Sequence, residues 1–142
     1  MLRSKVGALH IKELIMKSLS FLVFTLLLTN AFAETGCDSD ANYPEVTKAE
    51  LQKMIDEKQA VILDVNPKAS FDKQRIPGAV HFASQKNIAD VLPKSKDALI
   101  VAYCGGTMCA AWKKAAVAAC KLNYKNIKHF KPGISGWMQK DA

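Results

Sequence analysis

Hydrophobic and polar positions along the chain fall into blocks that predict alternating strands and helices. Two continuous apolar runs, residues 60–65 and 98–103, are typical of strands covered on both faces of a sheet. Shorter strand-like runs lie at 79–82 and 126–130. Helical patterns are found at 47–55, 69–74, 88–92 and 110–122. The alternation predicts a single α/β domain with a mostly parallel central sheet and helices on both faces.

The first predicted helix carries its own start signal. Thr47 and Glu50 have the spacing of a capping box, in which each residue satisfies a main-chain N–H group of the other. Leu51, Met54 and Ile55 follow on one helical stripe. We therefore expect regular structure to begin at Thr47.

The first 33 residues have the pattern of a targeting segment. Lys17 precedes an apolar run at 19–28, and Ala31 and Ala33 supply the small residues that signal peptidase prefers. The run is shorter than the roughly 20 apolar residues that cross a bilayer. We expect a signal peptide at 1–33, with residues before Met16 as an upstream extension, and a periplasmic or secreted product. An uncleaved anchor is the alternative.

The rest of the chain divides into a flexible polar lead-in, 34–43, and a domain at 44–142. Removal of residues 1–33 lowers the formal net charge from +7 to +4. The remaining basic residues are mixed with acids and form no arginine-rich stripe with stacking aromatics, which argues against nucleic acid as a partner. A mildly positive field favours the approach of a small anion. After cleavage we expect no stable membrane insertion.

The four cysteines that follow the expected cleavage site are Cys37, Cys104, Cys109 and Cys120. The last three lie within seventeen residues. An even number in an exported protein suggests disulfides, but the clustering predicts chemistry around one loop. For Cys37 we expect a free or intermolecularly paired thiol. Lipidation there is disfavoured because Glu34 stands where a lipoprotein signal has leucine. Cys120, on an alanine-rich helix, is expected to pack in the core.

The most informative segment is the loop at 104–109, which connects a buried strand to a helix. The strand delivers Cys104 to the carboxyl edge of the sheet, where open α/β folds bind ligands. Gly105 and Gly106 let the backbone curl so that successive N–H groups point at one spot. The helix predicted from Ala110 adds the positive end of its dipole. These features favour the thiolate of Cys104 and predict a nucleophile that needs no separate base and no cofactor.

Five motifs resemble, in the same order, the signatures of single-domain rhodaneses. They are LDV (63–65), RIPGA (75–79), IVAYC (100–104), YKNI (124–127) and GISGW (133–137). The resemblance implies that Cys104 takes a sulfane sulfur from a donor such as thiosulfate or polysulfide. Cys104 then carries a persulfide and passes the sulfur to cyanide or a thiol. The implied substrate-binding residues are those of the loop and the next helical turn: Gly105, Gly106, Thr107, Met108, Cys109 and Lys113.

The chain departs from the family pattern at several positions. Gly105 and Cys109 stand where many family loops have arginine, which weakens the case for thiosulfate as the preferred donor. Asn66 replaces another arginine, and Pro132 replaces a glycine. Ala110 stands where related phosphatases carry the arginine that clamps phosphate, so a phosphatase is disfavoured.

Three functions therefore remain as hypotheses. The favoured one is a sulfurtransferase. The second is a thiol–disulfide or redox-sensing protein that uses Cys104 and Cys109. The third is a non-catalytic rhodanese-fold binding module. Three alternatives stay open for Cys109: it resolves the Cys104 persulfide, it forms a reversible disulfide with Cys104, or it simply faces the core at the start of the helix.

Four other polar residues are candidates for supporting roles. Asp64 and Arg75 are accessory candidates, with Asp64 expected either to order the neighbouring backbone or to pair with Arg75. His81 and His129 are expected to be hydrogen-bonded structural histidines. No pair of histidines or cysteines has zinc-finger spacing, so we expect no metal site. Trp137 and Tyr124 are expected to pack in the core and at its edge, respectively.

Overall fold

The computed structural model describes residues 36–37 and 42–140. The expected signal peptide, its cleavage site and most of the polar lead-in lie outside these residues and stay predictions. In the described ranges, no helix is long and apolar enough to cross a membrane.

Four strands form an all-parallel sheet in the described chain, in the order β2-β1-β3-β4. The strands are β1 (Ala60–Asp64), β2 (Val80–His81), β3 (Leu99–Tyr103) and β4 (Asn126–His129). The α-helices are α1 (Lys48–Asp56), α2 (Lys68–Lys73), α3 (Lys113–Lys121) and α4 (Gly133–Met138). Two 3₁₀ turns, Phe82–Ser84 and Ile88–Asp90, lie between β2 and β3. The predicted α/β class and parallel sheet are confirmed.

Both faces of the sheet are covered, which explains why its central strands are continuous apolar runs. Ile100 and Ala102 face one side, where they pack with the buried alanines of α3. Val101 and Tyr103 face the other side, where they pack with Leu51 of α1 and with α4. Successive side chains of a strand point to opposite faces, so neither face of β3 meets water.

The direction in which strands are added to the sheet reverses between β1 and β3. Strand β2 lies on one side of β1, whereas β3 and β4 lie on the other. Asp64, the last residue of β1, is aligned with Tyr103, the last residue of β3. The segments that follow these strands therefore lie side by side at the switch point, where open α/β sheets place their ligands.

The capping box of the first helix is confirmed. The Thr47 side chain accepts a hydrogen bond from the N–H of Glu50 at 3.2 Å, and the Glu50 carboxylate accepts from the N–H of Thr47 at 2.7 Å.

The helix expected at 110–122 begins at Lys113 instead, so its predicted start is wrong. The N–H groups of Lys113 and Lys114 donate three residues back, to the carbonyls of Ala110 and Ala111. This is the tight 3₁₀ pattern that often precedes an α-helix. Trp112 occupies the cap position without a capping side chain, and its buried ring stacks on His129. The positive end of the α3 dipole therefore lies farther along the chain from Cys104 than predicted.

The prediction for Cys37 is wrong, because a disulfide joins it to Cys120 with a Cα–Cα distance of 5.5 Å. Cys120 is half-buried on α3 and packs against the core, so the packing expected for it is confirmed in part, although its disulfide was not expected. The two residues are 83 positions apart, and nothing local in the sequence indicates that they meet.

The double variant Cys37→Ser/Cys120→Ser is expected to be less stable than wild type by about 2–4 kcal/mol, because the cross-link no longer restricts the unfolded chain. Urea unfolding of the two oxidised proteins measures this difference. Under reducing conditions the difference should largely disappear, since wild type then lacks the cross-link too. Equal stability of the oxidised proteins would contradict a structural role for the disulfide.

Candidate active site

Cys104 is the first residue after β3, and only 1% of it is exposed. The chain that follows is held from one side by the first turn of α4. The N–H of Ile134 donates to the carbonyl of Cys104 at 2.9 Å, and the N–H of Ser135 donates to the carbonyl of Gly105 at 3.0 Å. These two hydrogen bonds fix the direction in which the loop leaves the sheet.

The loop presents a run of unpaired main-chain N–H groups. Within the described residues, those of positions 105–108 have no hydrogen-bond acceptor. The C=O and N–H of a trans peptide point in opposite directions. Since the carbonyls of Cys104 and Gly105 face α4, the N–H groups of Gly105 and Gly106 face away from it. The N–H of Cys109 differs, because it donates to the carbonyl of Gly106 at 3.0 Å. Unpaired successive amides of this kind make anion-binding concavities.

An open pocket of about 520 Å³ lies beside the loop. It is lined by Gly105, Gly106, Thr107, Met108, Cys109, Pro132, Ser135, Gly136 and Gln139. None of these residues is charged, so an anion in this pocket meets main-chain groups and neutral side chains. Met108, at the tip of the loop, is 95% exposed.

A disulfide joins Cys104 to Cys109 across the loop, with a Cα–Cα distance of 6.3 Å. The turn closed by the N–H of Cys109 and the carbonyl of Gly106 bends the loop back on itself, which brings its sixth residue to its first. Cys104 is buried, whereas Cys109 is half-buried and lines the pocket. A reagent that enters the pocket therefore meets Cys109 before Cys104.

Residues 47–140 match the family model described as a rhodanese-like domain. The chain belongs to the rhodanese-like domain family. Solved structures show the same fold. The BH2092 protein of Bacillus halodurans is 24% identical, with a TM-score of 0.56, and the match covers 66% of this chain and 70% of that protein. The human single-domain sulfurtransferase TSTD1 is 17% identical, with a TM-score of 0.56, and the match covers 71% and 100% of the two chains.

A Saccharomyces cerevisiae protein is 14% identical, with a TM-score of 0.52, over 68% of this chain and 92% of its own. No curated protein matches the chain. At these identities the solved structures establish the fold of the rhodanese-like domain and not its substrates.

A buried hydrogen-bond network supports the end of β1 in this rhodanese-like domain. Asp64 is fully buried and accepts from the N–H and the side-chain amide of Asn66, at 2.7 and 2.8 Å. Its other oxygen accepts from the Tyr103 hydroxyl, which in turn accepts from the N–H of Ile76 at 3.1 Å. Burial raises the pKa of Tyr103 above its ordinary value, and the hydrogen bond to Asp64 raises it further. Asp64 thus orders the neighbouring backbone, which is one of the two roles expected for it.

Arg75 does not pair with Asp64 among the described ion pairs. Its guanidinium donates to the carbonyl of Phe71 at 3.2 Å and lies 4.8 Å from the centre of the Phe71 ring. Neither Asp64 nor Arg75 lines the pocket. Their accessory roles stay predictions, and the geometry gives Asp64 a supporting position behind the loop.

Lys113 does not line the pocket of the rhodanese-like domain either. It lies in a separate groove with Lys114 and Lys121, along the outer side of α3. The start of α3 at Lys113 contributes to this placement, because Lys113 does not lie in a first helical turn that begins at the loop, as the sequence predicted. A substrate-binding role for Lys113 stays a prediction that the pocket geometry does not support.

Sequence reasoning assigned no position beside the loop to three residues that lie there, Asn66, Ser135 and Gln139. A Cβ added at Gly105 would lie 3.6 Å from Oδ1 of Asn66, so Asn66 occupies the space beside the loop. Ser135 and Gln139 line the pocket from α4. The available signal was the parallel sheet itself, because the segment after β4 must also lie at the carboxyl edge.

The two buried histidines behave differently. His81 is hydrogen-bonded as expected, with Nδ1 2.6 Å from the Ser84 hydroxyl and Nε2 2.8 Å from the carbonyl of Asn66. His129 stacks on Trp112 at 3.7 Å between ring centres. Its Nε2 has no hydrogen-bond partner among the described residues, so the expectation fails at that nitrogen. Burial lowers the pKa of His129 to about 4, although the Glu45 carboxylate partly opposes the shift.

Gly133 is the position that lets α4 approach the loop, and its replacement tests that contact. Its φ is +59°, and a Cβ there would overlap the carbonyl oxygen of Cys104. Gly78 is a matched control, since its φ is +76° but a Cβ would meet nothing within 4 Å. Gly78→Ala is expected to lose about 1–2 kcal/mol from backbone strain. Gly133→Ala should lower the free energy of unfolding by about 1–3 kcal/mol more than Gly78→Ala does, because the added Cβ overpacks the contact. Equal losses in urea unfolding would contradict a tight contact between α4 and the loop.

The lowered pKa of His129 predicts acid sensitivity. Below pH 6.5 the unfolded chain takes up a proton at this residue, while the folded protein stays neutral until about pH 4. Stability should therefore fall between pH 6.5 and 4, with a contribution of at most about 1.4 kcal/mol per pH unit from one group. His129→Phe keeps an aromatic ring against Trp112 and removes the titration. Its urea midpoint should change less over this range than that of wild type, and equal slopes would contradict the assignment.

Proposed function

We propose that this rhodanese-like domain is a sulfurtransferase that carries a sulfane sulfur as a persulfide on Cys104. Family membership supports a sulfurtransferase-type or other rhodanese-fold role. The observation that carries the proposal is the run of unpaired N–H groups at 105–108, directly after a cysteine at the carboxyl edge of the sheet. Preorganised amides of this kind stabilise negative charge that develops during a reaction.

The reaction begins once the Cys104–Cys109 bond has been reduced. The Cys104 thiolate attacks the outer sulfur of the donor, and a new S–S bond forms while the bond inside the donor breaks. With thiosulfate the leaving group is sulfite, which takes the electron pair of the broken bond. An acceptor thiol or cyanide then attacks the terminal sulfur and restores the Cys104 thiolate. The amides of 105–108 hold the anionic donor and the persulfide, so no cofactor or general base takes part.

The pocket composition bears on which donor is preferred. Among the residues that the structure describes, no lysine or arginine lines it. A doubly charged anion gains less from neutral amides than from an arginine fork. The geometry therefore favours a donor with a single charge at its sulfane sulfur, such as the persulfide of a small thiol, over doubly charged thiosulfate.

A second candidate function is thiol–disulfide redox chemistry, which is favoured by the Cys104–Cys109 disulfide.

We also propose a periplasmic or secreted location. The two disulfides support it, because such bonds persist mainly in oxidising compartments.

Sulfur transfer to cyanide, measured as thiocyanate, tests the sulfurtransferase proposal. Reduced Cys109→Ser protein, in which no loop disulfide can form, should be active with glutathione persulfide and, more weakly, with thiosulfate. In Cys104→Ser the rate of sulfur transfer should fall at least about 100-fold, because the nucleophile is gone.

The control for this experiment is Cys37→Ser/Cys109→Ser/Cys120→Ser, which keeps Cys104 as its one cysteine and should remain active. Transfer above the uncatalysed rate that survives in Cys104→Ser, or that is absent from Cys109→Ser with both donors, would overturn the proposal.

A further inference from the structure

We propose that Cys109 discharges the Cys104 persulfide within the same molecule, which releases hydrosulfide and forms the Cys104–Cys109 disulfide. This inference rests on the proposed function, since it requires a persulfide on Cys104. It adds an activity, the reduction of sulfane sulfur to sulfide by a dithiol. It also gives the second loop cysteine a defined catalytic role.

The geometry of the loop brings the two sulfurs together without a change of fold. The Cα atoms of Cys104 and Cys109 lie 6.3 Å apart, within the range over which disulfides form. The hydrogen bond from the N–H of Cys109 to the carbonyl of Gly106 holds the returning end of the loop. Two groups held in this way react far faster than the same groups free in solution.

The burial of Cys104 favours an internal acceptor over an external one. Cys104 is 1% exposed and belongs to the same buried cluster as Ile100 and Ala102. An external acceptor must enter the pocket before it reaches the terminal sulfur of a persulfide on the buried Cys104. Cys109 already lines the pocket and already contacts Sγ of Cys104. Cys37 and Cys120, by contrast, do not line this pocket.

The step balances as an ordinary thiol–disulfide exchange. The Cys109 thiol loses its proton to solvent, and its thiolate attacks Sγ of Cys104. The Cys104–Cys109 S–S bond forms while the bond from Sγ to the terminal sulfur breaks. The terminal sulfur leaves with the electron pair as hydrosulfide. The sulfane sulfur is reduced, and the two cysteine sulfurs are oxidised.

A dithiol reductant then restores the loop. It attacks the sulfur of Cys109, which is the more accessible of the two, and Cys104 leaves as a thiolate beside the unpaired amides of 105–108. The second thiol of the reductant completes the exchange and frees Cys109. Over the whole cycle, thiosulfate and a dithiol give sulfite, hydrogen sulfide and the oxidised dithiol.

A single-turnover experiment on reduced protein tests the inference. The reductant is removed, and one equivalent of donor is added without oxygen. Thiosulfate and glutathione persulfide are suitable donors, because their leaving groups are sulfite and a thiol rather than sulfide. Released sulfide is measured. The mass of the tryptic peptide 97–113, which contains Cys104 and Cys109 and no other cysteine, is determined by mass spectrometry.

Wild type is expected to release about one sulfide per protein molecule, by the stoichiometry of the exchange, and to give a peptide about 2 Da lighter than the reduced form. In Cys109→Ser the peptide should instead stay about 32 Da heavier, as a persulfide, with sulfide release at least about 10-fold lower. Cys37→Ser/Cys120→Ser is the matched control and should behave as wild type.

The failures are distinguishable. A persulfide that persists in wild type, or sulfide released equally by Cys109→Ser, would overturn the role of Cys109 and leave the sulfurtransferase intact. Absence of a persulfide in Cys109→Ser, together with no sulfide from wild type, would overturn both.

Discussion

Two main-chain hydrogen bonds from the first turn of α4 set the shape of the loop that carries Cys104. The first N–H groups of a helix have no acceptor inside the helix. Here those of Ile134 and Ser135 find the carbonyls of Cys104 and Gly105. The loop carbonyls are thus occupied on one side, and the N–H groups of Gly105 and Gly106 are turned to the other. A side chain at Gly133 would occupy the space of the Cys104 carbonyl, so this arrangement depends on glycine.

The rest of the fold holds the two partners of this contact in place. Strand β3 lies between β1 and β4, and the N–H of Phe130 donates to the carbonyl of Ala102 at 3.0 Å, just beyond the end of β4. This bond continues the sheet to the point where α4 begins. On the other side, the buried Asp64 accepts from Tyr103 and from the backbone after β1. The chain on either side of Cys104 is therefore tied to both neighbouring strands, and the loop is the part left open to chemistry.

Much of the fold could be predicted because its signals are local. The apolar runs at 60–65 and 98–103 and the capping box at Thr47 depend on neighbouring residues, and all were found in the structure. The start of α3 was misplaced because the alanines after Cys109 are good helix formers, while the stacking of Trp112 on His129 is a tertiary contact. The Cys37–Cys120 disulfide also depends on a contact between distant segments. So does the burial of His129 Nε2, which has no hydrogen-bond partner among the described residues.

The candidate site shows the same division. Cys104 and its loop could be predicted because strand, glycines and helix are consecutive in the sequence. The contributions of Asn66, Ser135 and Gln139 could not, since they come from segments that meet the loop only after the parallel sheet has formed. Lys113 was chosen for its charge and its closeness in sequence, and the structure places it in a different groove.

The central claim is that the loop amides stabilise a sulfur carried by Cys104. A crystal structure of reduced Cys109→Ser protein after reaction with a sulfane sulfur donor tests it most directly. We predict one additional sulfur atom bonded to Cys104 Sγ, within hydrogen-bond distance of N–H groups from residues 105–108. An additional sulfur on another residue, or one on Cys104 that points away from these amides, would contradict the account.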